Sequence, residues 1–375
     1  MADRDRPTIR IAETFAAIDA SDWDAVAKSA DPFLSHRFLA ALEASGSVGE
    51  GSGWSPLPIL VEQDGRVVGA APAFLKNHSQ GEYVFDQGWA DAWERAGGDY
   101  YPKLQIAVPF TPVVGRRLLG EAPGLVLAGA EALVRQNDLS SAHATFLTEA
   151  EAEAAAARGW LIRHGIQYHF KANGCATFDE FLDSLASRKR KAVRKERVTA
   201  RDGLTFRHLR GAEIGPDEMA AMWRFYQDTG ARKWGQPYLT RAFFDSAVEW
   251  LGNDLLLFLA IRDGVPVAGA LNWVGADTLY GRYWGCSEDL PFLHFELCYY
   301  QSIEWALEHG LTIVQAGAQG EHKLTRGYAP VRTYSAHFIP HPQFRAAVAR
   351  FLEEERALVA QELEALQAEL PFKQG

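Results

Sequence analysis

Residues 255–275 read LLLFLAIRDGVPVAGALNWVG. Two apolar runs of strand length flank Asp263-Gly264, and an Asp-Gly pair in that setting is a strong sign of a two-residue β-hairpin. The pattern has an earlier copy: residues 57–77, LPILVEQDGRVVGAAPAFLKN, carry it around Asp64-Gly65. An aromatic run follows each hairpin, GEYVFDQGW at 81–89 and TLYGRYWGC at 278–286, and predicts a third strand in each copy. The first copy continues with a candidate strand (LQIAVPFTPV), a helix-like run (GLVLAGAEALVRQNDLS) and a strand (SAHATFL). The second continues with a helix-like LHFELCYYQSIEWALEHG, which Gly310 ends as a C′ residue, and the strand LTIVQAG. Hairpin, strand, helix, strand is thus written twice, and the chain reads as two copies of one α/β unit.

The bulk numbers agree. A chain of 375 residues suits two domains, and 47% hydrophobic with 12% aromatic residues supplies packed cores. The formal net charge of −10 argues against generic nucleic-acid binding, DNA included, and against anionic-membrane binding, so any such contact needs a local basic patch. Three cysteines, Cys175, Cys286 and Cys298, lack CxxC spacing and read as reduced thiols. The N-terminus carries no apolar run behind a basic start, and no run approaches the ~18 apolar residues of a membrane span. A cytoplasmic protein is expected, with a peripheral position at the inner membrane left open. No HExxH, GxSxG, P-loop or ligand-spaced His/Cys cluster occurs, so no metal site is expected.

The first unit is expected over 1–172 and the second over 173–340, with 341–375 a C-terminal amphipathic helix packed on the body. TFDEFLDSLASRKRKAVRKERVTARDG reads as one long helix opening the second unit, strongly basic over 180–201. Arg190, Arg194, Arg197 and Arg201 share a face by spacing, with Arg188, Lys191 and Lys195 beside them. Such crowding weakens an isolated helix. A bound polyphosphate relieves it, as does pairing with the chain's surplus carboxylates.

The second concentration of chemistry is GAQGEHKLTRGY, after the last strand of the second copy. Glu321 or His322 can accept a proton from an attacking amine, Lys323 can stabilise an oxyanion or a phosphate, and Arg326 and Tyr328 can bind substrate. The competing reading is a polar turn. Upstream, Tyr283 and Tyr280 can protonate a leaving thiolate, and His294 and Glu296 fall in the first turn of a helix whose N-terminus can face an anion. In the first unit, Asp86, Tyr101 and Lys103 sit in an aromatic, glycine-rich run expected to line a cleft. Gly115-Arg116-Arg117 reads as a phosphate loop or as a turn with two exposed arginines.

The twofold order, the basic SRKRKAVRKER and the late Lys323 resemble the Fem ligases and the wider acyl-CoA N-acyltransferase (GNAT) fold. With YYPKL…PFTPVVGRRLL, HFELCYYQ and GAQGEHKLTRGY, nearly the whole chain is similar to a bacterial family of FemAB-like N-acyltransferases. The resemblance implies tandem GNAT-like units of the α/β (α+β) class, with mixed antiparallel sheets flanked by helices. It implies an amide-forming acyltransferase with Lys323 in the site and no tightly bound cofactor. Acyl-CoA or an acyl carrier protein would be the co-substrate, and the acceptor a small-molecule or lipid-type amine such as a sphingoid base. Two alternatives stay open: an aminoacyl-tRNA-dependent transferase acting on a peptidoglycan precursor, and a non-catalytic binding module. The usual GNAT pyrophosphate loop, a Gln or Arg before Gly-x-Gly/Ala, is absent between Cys286 and His294.

Overall fold

The computed structural model describes residues 6–28, 31–232, 237–317 and 320–373, apart from the side chains of 229–232 and 321. Contacts divide the chain into two units. The first comprises Met1–Ile166 and Arg332–Glu362, the second Gln167–Val331 and Leu363–Gly375. The strands are β1 (Thr8–Ile11), β2 (Trp54–Pro56), β3 (Ile59–Gln63), β4 (Arg66–Ala71), β5 (Ala73–Lys76), β6 (Lys103–Ile106), β7 (Leu119–Gly120), β8 (Ala142–Leu147), β9 (Leu161–Lys171), β10 (Thr205–Arg210), β11 (Leu255–Arg262), β12 (Val265–Val274), β13 (Thr278–Cys286), β14 (Ile313–Ala316) and β15 (Ala329–Phe338). Pairing is mostly antiparallel, and helices flank the sheets.

In the first unit a small sheet runs β1-β3-β4-β7, and a second stretch runs β15-β8-β6-β5-β2. The β3–β4 hairpin turns on Asp64 (φ 51°) and Gly65 (φ 73°), the left-handed pair that matches strand twist. Pro72 then interrupts the copy, since proline cannot donate to a ladder. As a result β4 stays in the small sheet while β5 pairs with β6. Helix Pro123–Gln136 packs Val126, Leu127, Ala130 and Val134 into a core shared with β3, β6 and β8.

In the second unit the order is β10-β11-β12-β13-β14-β9. The β11–β12 hairpin turns on Asp263 (φ 50°) and Gly264 (φ 80°), and it bulges between Ala260 and Ile261 as its counterpart bulges between Val61 and Glu62. Strand β12 has no internal break. Strands β13 and β14 are parallel, as are β6 and β8 in the first unit.

Three expectations need correction. GEYVFDQGW is not a strand: the chain turns at Gly81 and Tyr83, both at positive φ, and Gln87–Arg95 is a helix. Of LQIAVPFTPV only Lys103–Ile106, starting one residue earlier, is strand. The single basic helix is two, Phe178–Ser184 and Ser187–Arg201, because Leu185 and Ala186 are extended and Leu185 bridges to Phe372. The C-terminal helix, Pro342–Ala368, buries Phe344, Val348 and Leu352 against Trp89 and Tyr100.

Candidate active site

The second unit gathers its chemistry where two parallel strands part. Strands β13 and β14 pair from Thr278–Ile313 to Gly281–Ala316. Beyond that point β14 ends, Gly317 turns at φ 75°, and β13 continues against β12 alone. A register shift between Leu271 and Asn272 leaves Arg282 as the extra residue of β13 there. Where strands separate, backbone groups lose their ladder partners and can pair with a bound ligand instead.

Lys323 closes this split. It lies on the 3-10 turn Glu321–Arg326, is 1% exposed, and donates from Nζ to the Gly317 carbonyl at 2.7 Å. A lysine in a polar turn is expected at the surface; this one is buried. Burial pulls its pKa down to about 8, with Cys298 acting to raise it and Arg282 to lower it. Gly320 (φ 119°) is required beside it, because a Cβ there would stand 2.5 Å from the His322 ring.

Helix Leu293–Glu308 passes through a π-helical turn at Glu296–Tyr300. Such turns add a residue to the helix and recur at functional sites. This one brings Tyr299 to His322, whose Nε2 lies 2.8 Å from the phenolic oxygen. His294 packs between Trp284 and Tyr299 and near His322. On the sheet side, burial holds the His169 imidazole at about 3, with Lys323 adding to the effect. His169 pairs across from Gln315, whose buried Oε1 has no hydrogen-bond partner among the described residues.

Charged residues frame the split. Arg197 reaches Glu296 at 3.1 Å through two nitrogens and Glu304 at 2.5 Å, and Arg201 reaches Glu296 at 2.7 Å. Burial pushes the fully enclosed Glu296 carboxyl up, and Arg197 opposes that. Arg326 pairs with Glu196 at 2.9 Å and covers the Phe295 ring at 3.5 Å, while Tyr300 also bonds Glu196. These contacts correct the sequence reading: Arg197, Arg326 and Glu296 clamp the π-turn and the 3-10 turn to the basic helix. Tyr328 is a core residue with no exposure. Arg190 pairs with Asp183, whereas Lys191 and Arg194 are exposed and no ion pair involves them among the described residues.

The expected site residues thus separate. Lys323, His322 and His294 lie together. Tyr283 packs on Trp273 and Tyr226. Glu321's side chain lies outside the described residues. Sequence reasoning missed Tyr299, Gln315, His169 and Glu196. A signal existed for Glu196, the one carboxylate in the 15-residue basic helix. The others become visible only when a π-turn and a strand pairing are known.

In the first unit, Asp86, Tyr101 and Lys103 do not line a cleft. Lys103, at the start of β6, has no exposure and bonds Ser79 and Glu82 at 2.8 Å and also Asp86. Tyr100 donates to Asp86 at 2.6 Å, and Tyr101 meets Ser79 at 2.7 Å. Burial works against the Asp86 charge, but Lys103 overrides it and holds the carboxyl at about 2. Burial also brings Lys76 down and Glu82 up, each to about 7. Behind this group the His143 and His337 Nδ1 atoms are 2.6 Å apart. The network is enclosed, with Lys76, Glu82, Asp86 and Lys103 all buried. Arg117, expected at the surface, is fully buried and donates to Val113 and Arg116 carbonyls. Where β6 and β8 part, beyond Ile106 and Ala144, the chain continues through buried Ala107 and Val108.

Comparison with known proteins adds a family. The model of the FemAB-like family, described as peptidoglycan biosynthesis/recognition, matches residues 14–374. The fold is similar to that of FemX, with a TM-score of 0.55 at 14% identity over 88% of this chain and 98% of that one. It is also similar to L-PGS from Bacillus licheniformis, with a TM-score of 0.51 at 14% identity over 84% of this chain and 95% of that one. A search of curated proteins finds none that matches.

Proposed function

Because the chain belongs to the FemAB-like family, we propose that it is a transferase that forms an amide at the β13–β14 split, moving an acyl group from a thioester donor to an amine. One observation carries the proposal: a buried amine, Lys323, seals the end of β14 where the strands part. At neutral pH most of it is protonated, so it can polarise the donor carbonyl and hold the oxyanion that forms when the amine attacks. The Tyr299 hydroxyl can pass its proton to His322 Nε2 while taking one from the attacking nitrogen, and can return a proton to the leaving thiolate. The Gln315 Oε1, without a partner among the described residues, suits an N–H of donor or acceptor. The nitrogen–carbonyl bond forms, the carbon–sulfur bond breaks, and the enzyme is unchanged. Nothing in this scheme requires a tightly bound cofactor.

A second reading has its own support. Arg188, Lys191, Arg194 and Lys195 are exposed on the basic helix, in a chain of net charge −10. A stripe of this kind suits a polyanion, which favours an aminoacyl-tRNA donor in place of the thioester. Thermal-shift titrations with acetyl-CoA, dodecanoyl-CoA, free CoA and bulk tRNA separate the two, with mass spectrometry of an added amine. Acyl-CoA stabilisation with a new amide supports the thioester reading. Stabilisation by tRNA alone, lost steeply with salt, replaces it with the aminoacyl reading. No ligand effect and no amide returns the fold to a binding role.

A further inference from the structure

We propose that the outward face of the basic helix Ser187–Arg201 docks the second unit on a bilayer surface that carries anionic phospholipid. The helix has eight basic residues and one carboxylate, in a chain of net charge −10. Its inward side is committed to the fold. Val193 and Ala200 are buried there, Arg197 and Arg201 reach Glu296 and Glu304, and Glu196 holds Arg326. These contacts fix the rotation of the helix, and so fix what it turns outward.

Arg188, Lys191, Lys195 and Val198 follow one another at spacings of three, four and three, so they share the outward face, and Arg194 flanks them. All five are exposed, and none of the four cations has an ion pair among the described residues. Like charges at this spacing repel one another, and an anionic partner removes that cost. The chain's net negative charge does not cancel the effect. At physiological salt, exposed charges more than about 8 Å away are largely screened, so the face acts through its own cations.

The shape of the face and one side chain select the occupant. The outward side of a helix is convex, whereas small-molecule sites are concave. The groove alongside, about 570 Å³, sets Arg194, Arg197 and Arg201 against Asp179, Glu304 and Glu308, so it does not itself select an anion. The occupant is therefore an extended anionic surface. Val198 separates a bilayer from an RNA. It is 74% exposed, more than any other large apolar side chain among the described residues. An aliphatic group among cations suits the headgroup boundary, where phosphates meet the cations and the acyl region takes the apolar side chain. An RNA stem presents phosphates and hydroxyls, to which a valine adds nothing, and the helix has no aromatic residue for an unpaired base to stack on. In the reaction proposed above, the bilayer would be the source of a lipid amine; that assignment rests on that reading, and the docking does not.

The test is flotation of the full chain with vesicles of phosphatidylcholine alone and of an equal mixture with phosphatidylglycerol, at low and high salt, with bulk tRNA as a second probe. Binding should need the phosphatidylglycerol and should weaken with salt. Each Lys or Arg at such a surface counts for about fivefold in partitioning, the equivalent of about 1 kcal/mol, so the double variant Lys191→Ala/Lys195→Ala should bind about 25-fold more weakly. Its melting temperature should not change, since both positions are exposed. Val198→Ser should also weaken vesicle binding, a loss that charge alone does not produce. Absence of binding to the mixed vesicles, equal binding by the parent and either variant, or binding of bulk tRNA in place of vesicles would overturn the proposal. Vesicle binding by a chain that forms no amide would keep the docking surface and sink the transferase reading instead.

Discussion

Lys323 is the residue on which the proposed chemistry turns, and its burial makes it testable. Its amine keeps a proton to about pH 8 in the folded chain and to about pH 10.4 when unfolded. Between those values the unfolded state binds more protons, so folded-state stability rises with pH across the window, and below it the full cost is present. That cost is on the order of 3 kcal/mol, before the Gly317 hydrogen bond offsets part of it. Lys323→Met should therefore melt at an equal or higher temperature than the parent at pH 7, with the difference shrinking towards pH 10. A lower melting temperature at pH 7 would show that the amine is structural. For turnover, kcat/KM referred to the unprotonated acceptor amine should fall as pH rises through about 8, where the Lys323 ammonium is lost. The opposite holds for Lys103, whose ammonium sits between two enclosed carboxylates. Lys103→Met should destabilise by about 3–5 kcal/mol, because Asp86 is left buried without its cation and Glu82 keeps only Lys76, 3.9 Å away. Chemical denaturation measures it, and a loss below 1 kcal/mol would argue for a solvated site.

At the scale of elements, the basic helix and the π-turn act as one piece. The crowded positive charge is answered on one side by Glu296 and Glu304, and its own Glu196 holds Arg326. Arg197→Ala should lower the melting temperature by several degrees, since it leaves the enclosed Glu296 with Arg201 as its one remaining cation among the described residues. Lys191→Glu and Arg194→Glu should leave it unchanged, as both side chains are exposed. Equal effects from all three would return the helix to a purely solvated face. The sequence showed that a helix with these arginines exists and which of them share a face. It did not show their partners, because a chain of spacings carries no information on which acids a fold brings opposite. The π-turn was hidden for a related reason: one added residue in a helix leaves the local apolar pattern almost intact, yet re-aims Tyr299 towards His322.

Across the whole chain, the repeated Asp-Gly hairpins were the legible feature, and the structure places both at the same point of their units, bulges included. What was not legible was how far the copies differ. Pro72 divides the strand after the first hairpin's turn between two sheets, and the aromatic run that follows becomes a turn and a helix because Glu82 and Asp86 face Lys103. The first unit thus holds an enclosed ionic core, and the second holds a strand split that a buried amine closes. Among the described residues no helix is long and apolar enough to cross a membrane.

In the proposed reaction, amide formation depends on Lys323. The direct measurement is mass-spectrometric detection of N-dodecyl dodecanamide, with parallel CoA release, when dodecanoyl-CoA and dodecylamine are incubated with the parent chain and with Lys323→Met. The account predicts product from the parent and a rate about 10²–10³-fold lower from the variant, the usual cost of losing one oxyanion donor. Equal product from both chains would contradict it.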